Sequence, residues 1–531
     1  MNISSILLEQ SAERPSGTAI IDRTGTMTFA ELETRSGRAA SLLKQSGLNS
    51  GDTVLVFYPM SAELYVILIA LFRLGLVPMF LDPSAGRDHI ERCCALRKPK
   101  AMIASSKAHL LRIISPALRH IPIKFSVGIR IPGAIKWSHI KSAEYYKDIF
   151  PAQTDTPALI TFTSGSTAAP KAAVRTHGFL IAQHRVLAES LNLKAGEADL
   201  TTLPIFVLAN LASGVTSILP EADMRRPGEI DAESVIAQIK KHQPQSTAAS
   251  PAFLERLIDY CDQTGEKLLC FERIFTGGAP VFPRLLSRLQ RVAPRATVTA
   301  VYGSTEAEPI AEISMCDISQ TDLDVQMNGQ GLIAGLPVKQ INLRIMGDKK
   351  SKSASLYTSE EFEAECLYAG EIGEIVVEGE HVLKGYLRGQ GDRETKIKVG
   401  EEVWHRTGDA GYLDLSGRLW LMGRCSAQIV DERGTLYPFA VECAASEITN
   451  VHRAAVVAHR GRRLLVLELH GSIDDAQFHS IREKLCWASL DEIRIYKRLP
   501  VDRRHNAKID YTSLHSLLDT MPRRRVLNSQ I

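Results

Sequence analysis

Apolar runs of strand length alternate with amphipathic stretches of helical length from the first residue to about residue 420. Between residues 52 and 105 the predicted order is strand, helix, strand, helix, strand, in DTVLVFY, SAELYVILIALFRLG, VPMFLD, RDHIERCCALRKP and KAMIAS. A similar order returns in DAESVIAQIKKHQP (helix), STAAS (strand), PAFLERLIDYC (helix) and RIFTGG (strand). Alternating strands and helices predict βαβ units. The expected fold class is therefore α/β, with parallel sheets covered by helices in αβα layers.

The pattern changes twice in the last third of the chain. From about residue 371 short strands are separated by Gly-Glu, Gly-Asp and Ser-Gly turns, which predicts a small antiparallel or barrel-like β-subdomain. After Arg424 an apolar hairpin, AAVVAHRGRRLLVLELHG, and an amphipathic helix, IDDAQFHSIREKLCWASL, predict a small α+β domain. We therefore expect a large N-terminal domain over residues 1–424 and a small C-terminal domain over residues 425–531, joined at Cys425–Ser426.

Length, charge and cysteine content narrow the class of protein. A chain of 531 residues is too long for one core, and a net charge of +3 gives no indication of a nucleic-acid partner. The nine cysteines are scattered and form no C-x-x-C, which favours reduced thiols and a cytoplasmic location. The most apolar window is interrupted by Arg73 and Pro78, so it predicts a buried helix leading into a strand and no membrane span.

The segment TFTSGSTAAPKAAVRTHG, at residues 161–178, concentrates hydroxyl residues, a glycine and Lys171 directly after an apolar run. Residues of these types also form ordinary surface turns. Alternatively, convergent backbone N–H groups, hydroxyl donors and a fixed positive charge would form a cradle for an anion. The spacing is not that of a P-loop. A nucleotide site of another type is the functional interpretation.

Four stretches in this order, TFTSGSTAAPKAAVRTHG, AVYGSTEAEPIA, WHRTGDAGYLD with GRLWLMGR, and LPVDRRHNAKID, resemble the core motifs of the adenylate-forming superfamily. That superfamily contains acyl-CoA synthetases, peptide-synthetase adenylation domains and luciferases. The stretches GTLYPFAVE, GGAPVFP and LANLASGVTS look most like the olefin β-lactone synthetase branch. The resemblance implies an enzyme that uses ATP and Mg²⁺ to activate a carboxylic acid, with a C-terminal domain that rotates about the hinge.

The resemblance also implies roles for individual residues. The β- and γ-phosphates of ATP would be wrapped by the loop residues Thr163, Ser164, Gly165, Ser166, Thr167 and Lys171. Ala168 and Ala172 stand where the family usually has glycine, and alanine admits less backbone freedom. Thr305 would contact the α-phosphate, and Glu306 would hold Mg²⁺, which suits a hard cation that prefers carboxylate and phosphate oxygens.

The remaining nucleotide contacts are implied by the later motifs. The adenine would stack on Tyr302, beside Gly303, and lie in a slot lined by Gly277, Gly278, Ala279 and Pro280. Asp409 would accept the ribose hydroxyls, and Arg424 would close over the nucleotide. Lys508 would bridge the carboxylate and the α-phosphate, where a cation stabilises the charge that develops during adenylation.

The substrate acid should be apolar, because the residues expected to line its binding pocket are apolar or small. LPIFVLANLASG offers Phe206, Leu208, Asn210 and Leu211, and it lacks the aspartate with which amino-acid-activating relatives pair an ammonium group. A fatty or β-hydroxy fatty acid is therefore expected.

Three alternatives remain for what happens to the acyl adenylate. Lactone closure is favoured, while a ligase for CoA or an acyl carrier protein is an alternative, and a degenerate adenylate-binding protein is a second alternative. Val430 and Asp431 stand where CoA ligases have basic residues, so CoA is possible but not favoured. A partner enzyme or carrier protein is possible.

Overall fold

A computed structural model describes residues 1–82, 85–163, 170–347, 356–501 and 509–520 of the chain. The predicted α/β class is confirmed. The chain forms two compact units, of which the first comprises Met1–Glu221, Thr305–Glu308 and Gly379–Lys396, and the second comprises Ala222–Ser304, Pro309–Glu378 and Ile397–Ile531. The predicted domain boundary at Cys425–Ser426 falls within the second unit and stays a prediction.

The first unit contains a seven-stranded sheet that is parallel except at one edge. In spatial order its strands are Ile135–Lys136, Ile123–Val127, Ala101–Ser105, Thr53–Phe57, Val77–Phe80, Pro157–Thr163 and Lys171–Thr176. Only the last two strands pair in antiparallel fashion, as a hairpin. Four further strands of this unit are Thr18–Asp22, Gly25–Thr28, Ala198–Thr201 and Thr216–Ile218. All five elements predicted between residues 52 and 105 are present.

Helices cover the strands of the first unit and form much of its core. They are Ile3–Glu13, Phe29–Gln45, Ala62–Arg73, Arg87–Leu96, Leu111–Ile114, Pro116–Arg119, His177–Ser190, Pro204–Ser213 and Asp392–Thr395. Eleven of the twelve residues of Ala62–Arg73 are buried, and its terminal Arg73 is paired with Glu33 at 2.8 Å. This helix is the apolar window of the sequence, and it is a core element as predicted. Among the described residues, no helix is both long enough and apolar enough to cross a membrane.

The second unit begins with three parallel strands, Ser246–Ala249, Arg273–Gly277 and Thr297–Ser304. An antiparallel set, confirming the predicted β-subdomain, consists of Leu332–Pro337, Asn342–Met346, Gly373–Glu378, Glu402–Leu413 and Leu419–Arg424. The strand Ala307–Ser314 starts in the first unit and continues in the second, and the short strands Leu356–Tyr357 and Lys396–Val399 pair in parallel. The helices of this region are Ala232–His242, Pro251–Thr264, Pro283–Val292, Gln320–Met327 and Ser359–Glu365.

After Arg424 the chain forms a small α+β region, as the sequence predicts. Its strands are Ile429–Asp431, Gly434–Leu436, Val451–His459, Arg462–Leu469 and Glu492–Tyr496, and its helices are Pro438–Ser446, Asp475–Lys484 and Tyr511–Thr520. The predicted hairpin is the antiparallel pair Val451–His459 and Arg462–Leu469.

A buried carboxyl makes the stability of this region depend on pH. Glu442 Oε1 accepts hydrogen bonds from Tyr511 Oη at 2.5 Å and from Val456 N at 2.9 Å. Burial raises the pKa of Glu442 from 4.5 to about 7, although both hydrogen bonds oppose the shift. The folded state therefore retains the proton between these two pH values while the unfolded state loses it. Stability is lost as the pH rises through this window.

We expect Glu442→Gln to stabilise the protein above pH 7 by about 1 to 3 kcal/mol, since a neutral amide can accept the same hydrogen bonds. Below pH 4.5 the gain should disappear. Urea unfolding of both proteins at several pH values measures the effect, with the exposed Glu432→Gln as the matched control. An equal difference in stability at low and high pH would contradict the assignment.

Candidate active site

Lys171 begins the second strand of the hairpin formed by Pro157–Thr163 and Lys171–Thr176. The strand Pro157–Thr163 ends at the residue that pairs with Lys171, so these two positions lie opposite each other. Ala172 pairs with Phe162 in the extended strand, where alanine is as acceptable as glycine, so its departure from the family pattern causes no backbone strain. Ser164, Gly165, Ser166, Thr167 and Ala168 lie outside the described residues.

Glu306 is held by a tyrosine that the sequence analysis did not select. Tyr386 Oη donates a hydrogen bond to Glu306 Oε1 at 2.7 Å, and Leu383 N donates to the Glu306 carbonyl at 2.7 Å. Burial, followed by the charge of Glu306, raises the pKa of Tyr386, which keeps the phenol protonated as the donor. The carboxylate proposed for the metal is therefore oriented from both its side chain and its backbone.

Two lysines lie near the ring of Tyr386. The ammonium nitrogens of Lys171 and Lys396 lie 5.7 Å and 5.5 Å from the ring centroid, within the range of cation–π attraction. Lys396 also donates to the carbonyl of Leu383, and burial lowers its pKa to about 8 against the opposing effect of Glu306. The result is a cluster of two cations, one phenol and one carboxylate, suited to phosphate and metal chemistry.

A glycine permits the position of Lys171. Gly391 has φ +105, and a Cβ added there would lie 2.7 Å from Lys171 Cδ and 3.0 Å from Lys171 Nζ. Any other residue would be strained by the left-handed backbone and would also displace the lysine. The short helix Asp392–Thr395 follows directly, and its Asp392 Oδ1 accepts from Tyr386 N at 2.8 Å.

Arg175 connects the hairpin to the Thr305 segment. Its guanidinium donates to Thr161 Oγ1 at 2.9 Å and to the Thr305 carbonyl at 2.8 Å. The charges of Glu308 and Glu306 partly offset the burial that lowers the pKa of Arg175. Burial raises the pKa of the half-buried Glu308 to about 7, with Arg175 acting in the opposite direction. Arg175 therefore fixes the backbone that presents Thr305 and Glu306.

We expect Tyr386→Phe to raise the Mg²⁺ concentration for half-maximal activity by about tenfold. The lost hydrogen bond to a charged group is worth roughly 1.5–3 kcal/mol, and the ring that packs near the lysines is retained. Magnesium titration of acid-dependent pyrophosphate release measures this effect. The exposed Tyr368→Phe is the matched control. An unchanged magnesium dependence would show that Tyr386 does not position Glu306.

In the second unit, three of the residues predicted to bind the nucleotide contact one another. Tyr302 Oη donates to Asp409 Oδ2 at 2.8 Å, while Arg424 Nε lies 3.2 Å from Asp409 Oδ1. Arg424 also donates to the Thr407 carbonyl at 3.0 Å, and its side chain is 61% exposed, which leaves it accessible to a ligand. Burial raises the pKa of Tyr302, and the negative charge of Asp409 adds to the shift. A carboxylate has about four lone-pair sites, so Asp409 retains capacity for ribose hydroxyls.

The predicted adenine slot lies where two parallel strands end. Arg273–Gly277 and Thr297–Ser304 pair in register, with Gly277 opposite Val301, so Gly278, Ala279 and Pro280 leave the sheet beside Tyr302 and Gly303. A Cβ at Gly277 would lie 2.5 Å from the Val301 carbonyl oxygen. The carboxyl edge of parallel strands is where α/β proteins commonly bind ligands.

The predicted acid wall is the buried helix Pro204–Ser213 of the first unit. Phe206, Leu208 and Leu211 are 6%, 8% and 0% exposed. The amide Nδ2 of Asn210 lies 3.2 Å from Asp199 Oδ2, 3.0 Å from Thr201 Oγ1 and 3.1 Å from Ser217 Oγ. Asn210 thus fixes the helix to the neighbouring strands. Contact of these four residues with an acid stays a prediction.

Two histidines near the motifs are buried. His177 begins the helix His177–Ser190 and accepts from Ile3 N at 3.1 Å, while burial lowers its pKa to about 4. His405 is 3% exposed. Lys508, to which the sequence analysis assigns adenylation, lies outside the described residues.

The chain belongs to the AMP-binding enzyme family, whose model matches residues 7–387. It is 31% identical to the olefin β-lactone synthetase of Stenotrophomonas maltophilia, over 96% of both chains. The corresponding enzyme of Xanthomonas campestris pv. campestris is 29% identical over 96% of both chains. The structure resembles that of the amide bond synthetase McbA from Marinactinospora thermotolerans, with a TM-score of 0.78 and 19% identity over 97% of this chain and 99% of that chain.

The chain is therefore an adenylate-forming ligase, an enzyme class that uses ATP to activate a carboxylic acid. Mg²⁺ in such sites is held by one or two carboxylates together with substrate phosphates and water. No group of three His, Cys, Asp or Glu side chains suited to a metal occurs in the part of the chain that is described. A single oriented carboxylate, Glu306, fits a metal that arrives with the nucleotide.

Proposed function

We propose that the enzyme activates the carboxylate of an apolar β-hydroxy acid with Mg·ATP and closes the acyl adenylate to a β-lactone. The observation that supports this proposal is the similarity to two olefin β-lactone synthetases over 96% of the chain. Because these alignments cover nearly the whole chain, they extend beyond the nucleotide motifs into the region after Arg424.

In the first half-reaction a carboxylate oxygen of the acid attacks the α-phosphorus, and pyrophosphate leaves. We assign Lys171 to the β- and γ-phosphates, Thr305 to the α-phosphate and Glu306 to Mg²⁺. We assign Lys508 to the approaching carboxylate and the α-phosphate. Fixed cations act most strongly where negative charge develops, and Tyr386 and Arg175 keep the surrounding groups in place. When bound, Mg²⁺ neutralises phosphate charge.

Recognition of the nucleoside is assigned to the second unit. Asp409 would accept the ribose hydroxyls, Arg424 would approach the nucleotide, and Tyr302 would contact the adenine. The backbone at Gly277 to Pro280 would line the adenine slot. Tyr302 and Asp409 already share a hydrogen bond of 2.8 Å, which orients the carboxylate before the nucleotide binds.

In the second half-reaction the β-hydroxyl oxygen of the acid bonds to the activated carbonyl carbon. The bond between that carbon and the phosphate oxygen breaks, AMP leaves with the electron pair, and the hydroxyl proton passes to water. The acid requires no ammonium partner, and burying an unpaired ammonium against Phe206, Leu208 and Leu211 would be costly. An apolar acid without an amine is thus the expected substrate.

CoA is the alternative acceptor, and the negative charge of Asp431 disfavours it less in the structure than the sequence alone indicates. Asp431 is paired with Arg463 through contacts of 2.7 Å and 2.8 Å and with Arg433 at 2.9 Å. Hydrogen bonds from Arg463 and Arg433 lower the pKa of Asp431. Its negative charge is therefore compensated and would not simply repel the phosphates of CoA.

Mass spectrometry of the products tests the proposal. The enzyme is incubated with Mg·ATP and two long-chain acids that differ only in the β-hydroxyl, with and without CoA. We expect a product one water lighter than the hydroxy acid, formed without CoA. Acyl-CoA formed from both acids would instead identify a CoA ligase. AMP without either product would favour a carrier-protein acceptor, and absence of AMP would favour a degenerate nucleotide-binding protein.

A further inference from the structure

One segment of the first unit has a strongly unbalanced charge. Residues 92–143 contain no Asp or Glu, although the chain as a whole has 63 Lys and Arg against 60 Asp and Glu. The segment carries eleven basic residues, Arg92, Arg97, Lys98, Lys100, Lys107, Arg112, Arg119, Lys124, Arg130, Lys136 and Lys141. Since the net charge of the chain is only +3, the remainder is net negative and the positive charge is local.

The same segment exposes aliphatic side chains. Leu110, Ile113, Ile114 and Ile129 are 64%, 70%, 52% and 71% exposed. They are four of the twelve large apolar side chains that are exposed among the described residues, and they include all the exposed isoleucines. Single exposed apolar residues are ordinary, but a group of them within one basic segment indicates an interaction site.

Hydrogen bonds join the two parts of this surface. Ile129 N donates to Ser106 Oγ at 2.9 Å, and Arg112 Nη1 donates to the Pro132 carbonyl at 3.3 Å. The loop at residues 128–133 therefore lies beside the short helix Leu111–Ile114. Arg119 donates to the Ile113 carbonyl at 2.7 Å, which places a cation beside the exposed isoleucines.

An open cavity of about 330 Å³ adjoins the same loop, and Lys124, Arg130, Ile131, Pro132 and Ile135 are among its lining residues. Basic and aliphatic groups are thus combined on both sides of residues 128–133. Lys107, Arg119, Arg130 and Lys136 are exposed. We call the surface formed by residues 107–114, 119 and 128–136 the basic apolar face.

We propose that the basic apolar face binds the surface of an anionic phospholipid bilayer. The aliphatic side chains would enter the boundary between headgroups and acyl chains, while the lysines and arginines would contact lipid phosphates. The face itself contains basic residues and no acidic one, and Glu91 accepts a hydrogen bond from Ala117 N at 3.2 Å at its border. Charge that is mainly of one sign suits an extended surface of uniform negative potential. A protein partner is less well matched, because protein interfaces are enriched in aromatic residues, whereas the exposed apolar groups here are all aliphatic.

Vesicle sedimentation with the full-length protein tests the proposal. Vesicles of phosphatidylcholine alone are compared with vesicles that also contain phosphatidylglycerol, at low and high salt. We expect partitioning onto the anionic vesicles to be at least tenfold stronger at low salt, and to weaken as salt screens the charges.

Two sets of substitutions separate the apolar contribution from the charge contribution. Ile113→Ser with Ile129→Ser removes aliphatic surface at constant charge, and Lys107→Gln with Lys136→Gln removes charge. Each double variant should lose at least about tenfold of the binding. Leu415→Ser, at a residue that is 96% exposed in the second unit, and the exposed Lys497→Gln should have no effect.

If the wild type bound both kinds of vesicle equally, the proposal would be overturned, even if the face bound an acidic protein. Binding that survives the isoleucine substitutions would also overturn it, since only a diffuse electrostatic contact would remain. Ile113, Ile129, Lys107 and Lys136 are exposed and distant in sequence from the nucleotide motifs. Adenylation measured without vesicles should therefore be unchanged in both double variants of the face.

Discussion

Glu306→Gln is expected to reduce acid-dependent pyrophosphate release by about a hundredfold or more, while the affinity for the nucleotide changes little. The amide retains the shape of the carboxylate and can still accept the hydrogen bond that Tyr386 Oη donates to Oε1 at 2.7 Å. It removes the negative charge that a divalent cation requires. The change therefore isolates metal binding from the packing of the site.

Pyrophosphate release and equilibrium binding of ATP, each measured across a magnesium titration, separate the two effects. Excess magnesium should restore part of the rate. The exposed Glu380→Gln, in the same unit, is the matched control and should behave as the wild type. A parallel loss of nucleotide affinity and rate, independent of magnesium, would remove Glu306 from the metal site.

Lys508→Ala is expected to reduce the adenylation rate by roughly two to three orders of magnitude with little change in ATP affinity. The family resemblance assigns this lysine to the two anions that must approach each other, so its charge should stabilise the transition state more than the ground state. Single-turnover pyrophosphate release measures the adenylation step directly.

The exposed Lys497→Ala, which removes a cation eleven residues earlier in the chain, is the control for a general loss of positive charge. If Lys508→Ala and the wild type release pyrophosphate equally, the catalytic assignment fails. Conversion of a supplied β-hydroxyacyl adenylate to lactone and AMP by the variant would further show whether the defect lies before or after that intermediate.

Much of the fold follows from the sequence because its periodicity is local. The strand Thr53–Phe57 is buried at every position, which explains its continuous apolar run, and the helix Ala62–Arg73 is longer than any strand of that sheet. The hairpin after Arg424 follows from two β-branched and apolar runs around a short polar turn. Such signals arise from neighbouring residues and need no knowledge of distant contacts.

The side chains that hold the site residues in place could not be predicted in the same way. Tyr386 is 80 residues from Glu306, and Arg175 is 130 residues from the carbonyl of Thr305 that it binds. No local pattern encodes pairings over such separations. Arg175 did carry one signal, since it directly follows the apolar run Ala172–Val174 of its strand, and a charge that is buried there requires partners.

The sequence also could not predict that the negative charge of Asp431 is compensated by an arginine. The sequence places Asp431 where CoA ligases have a basic residue. In the structure Arg463, which is 32 residues away in the chain, pairs with it at 2.7 Å. In contrast, the family motifs named Tyr302, Asp409 and Arg424, which the structure brings into contact, because the strands Glu402–Leu413 and Leu419–Arg424 pair Asp409 with Arg424.

The proposed reaction activates the carboxyl group of the acid, and the β-hydroxyl oxygen then closes the ring. The most direct test supplies a hydroxy acid with heavy oxygen in both carboxylate positions and determines the label in AMP and in the lactone. We expect one heavy oxygen in AMP and one in the lactone, because the carboxylate oxygen bonded to phosphorus leaves with AMP. Unlabelled AMP and a lactone that retains both heavy oxygens would show that the hydroxyl group was activated instead, and would contradict activation of the carboxyl group.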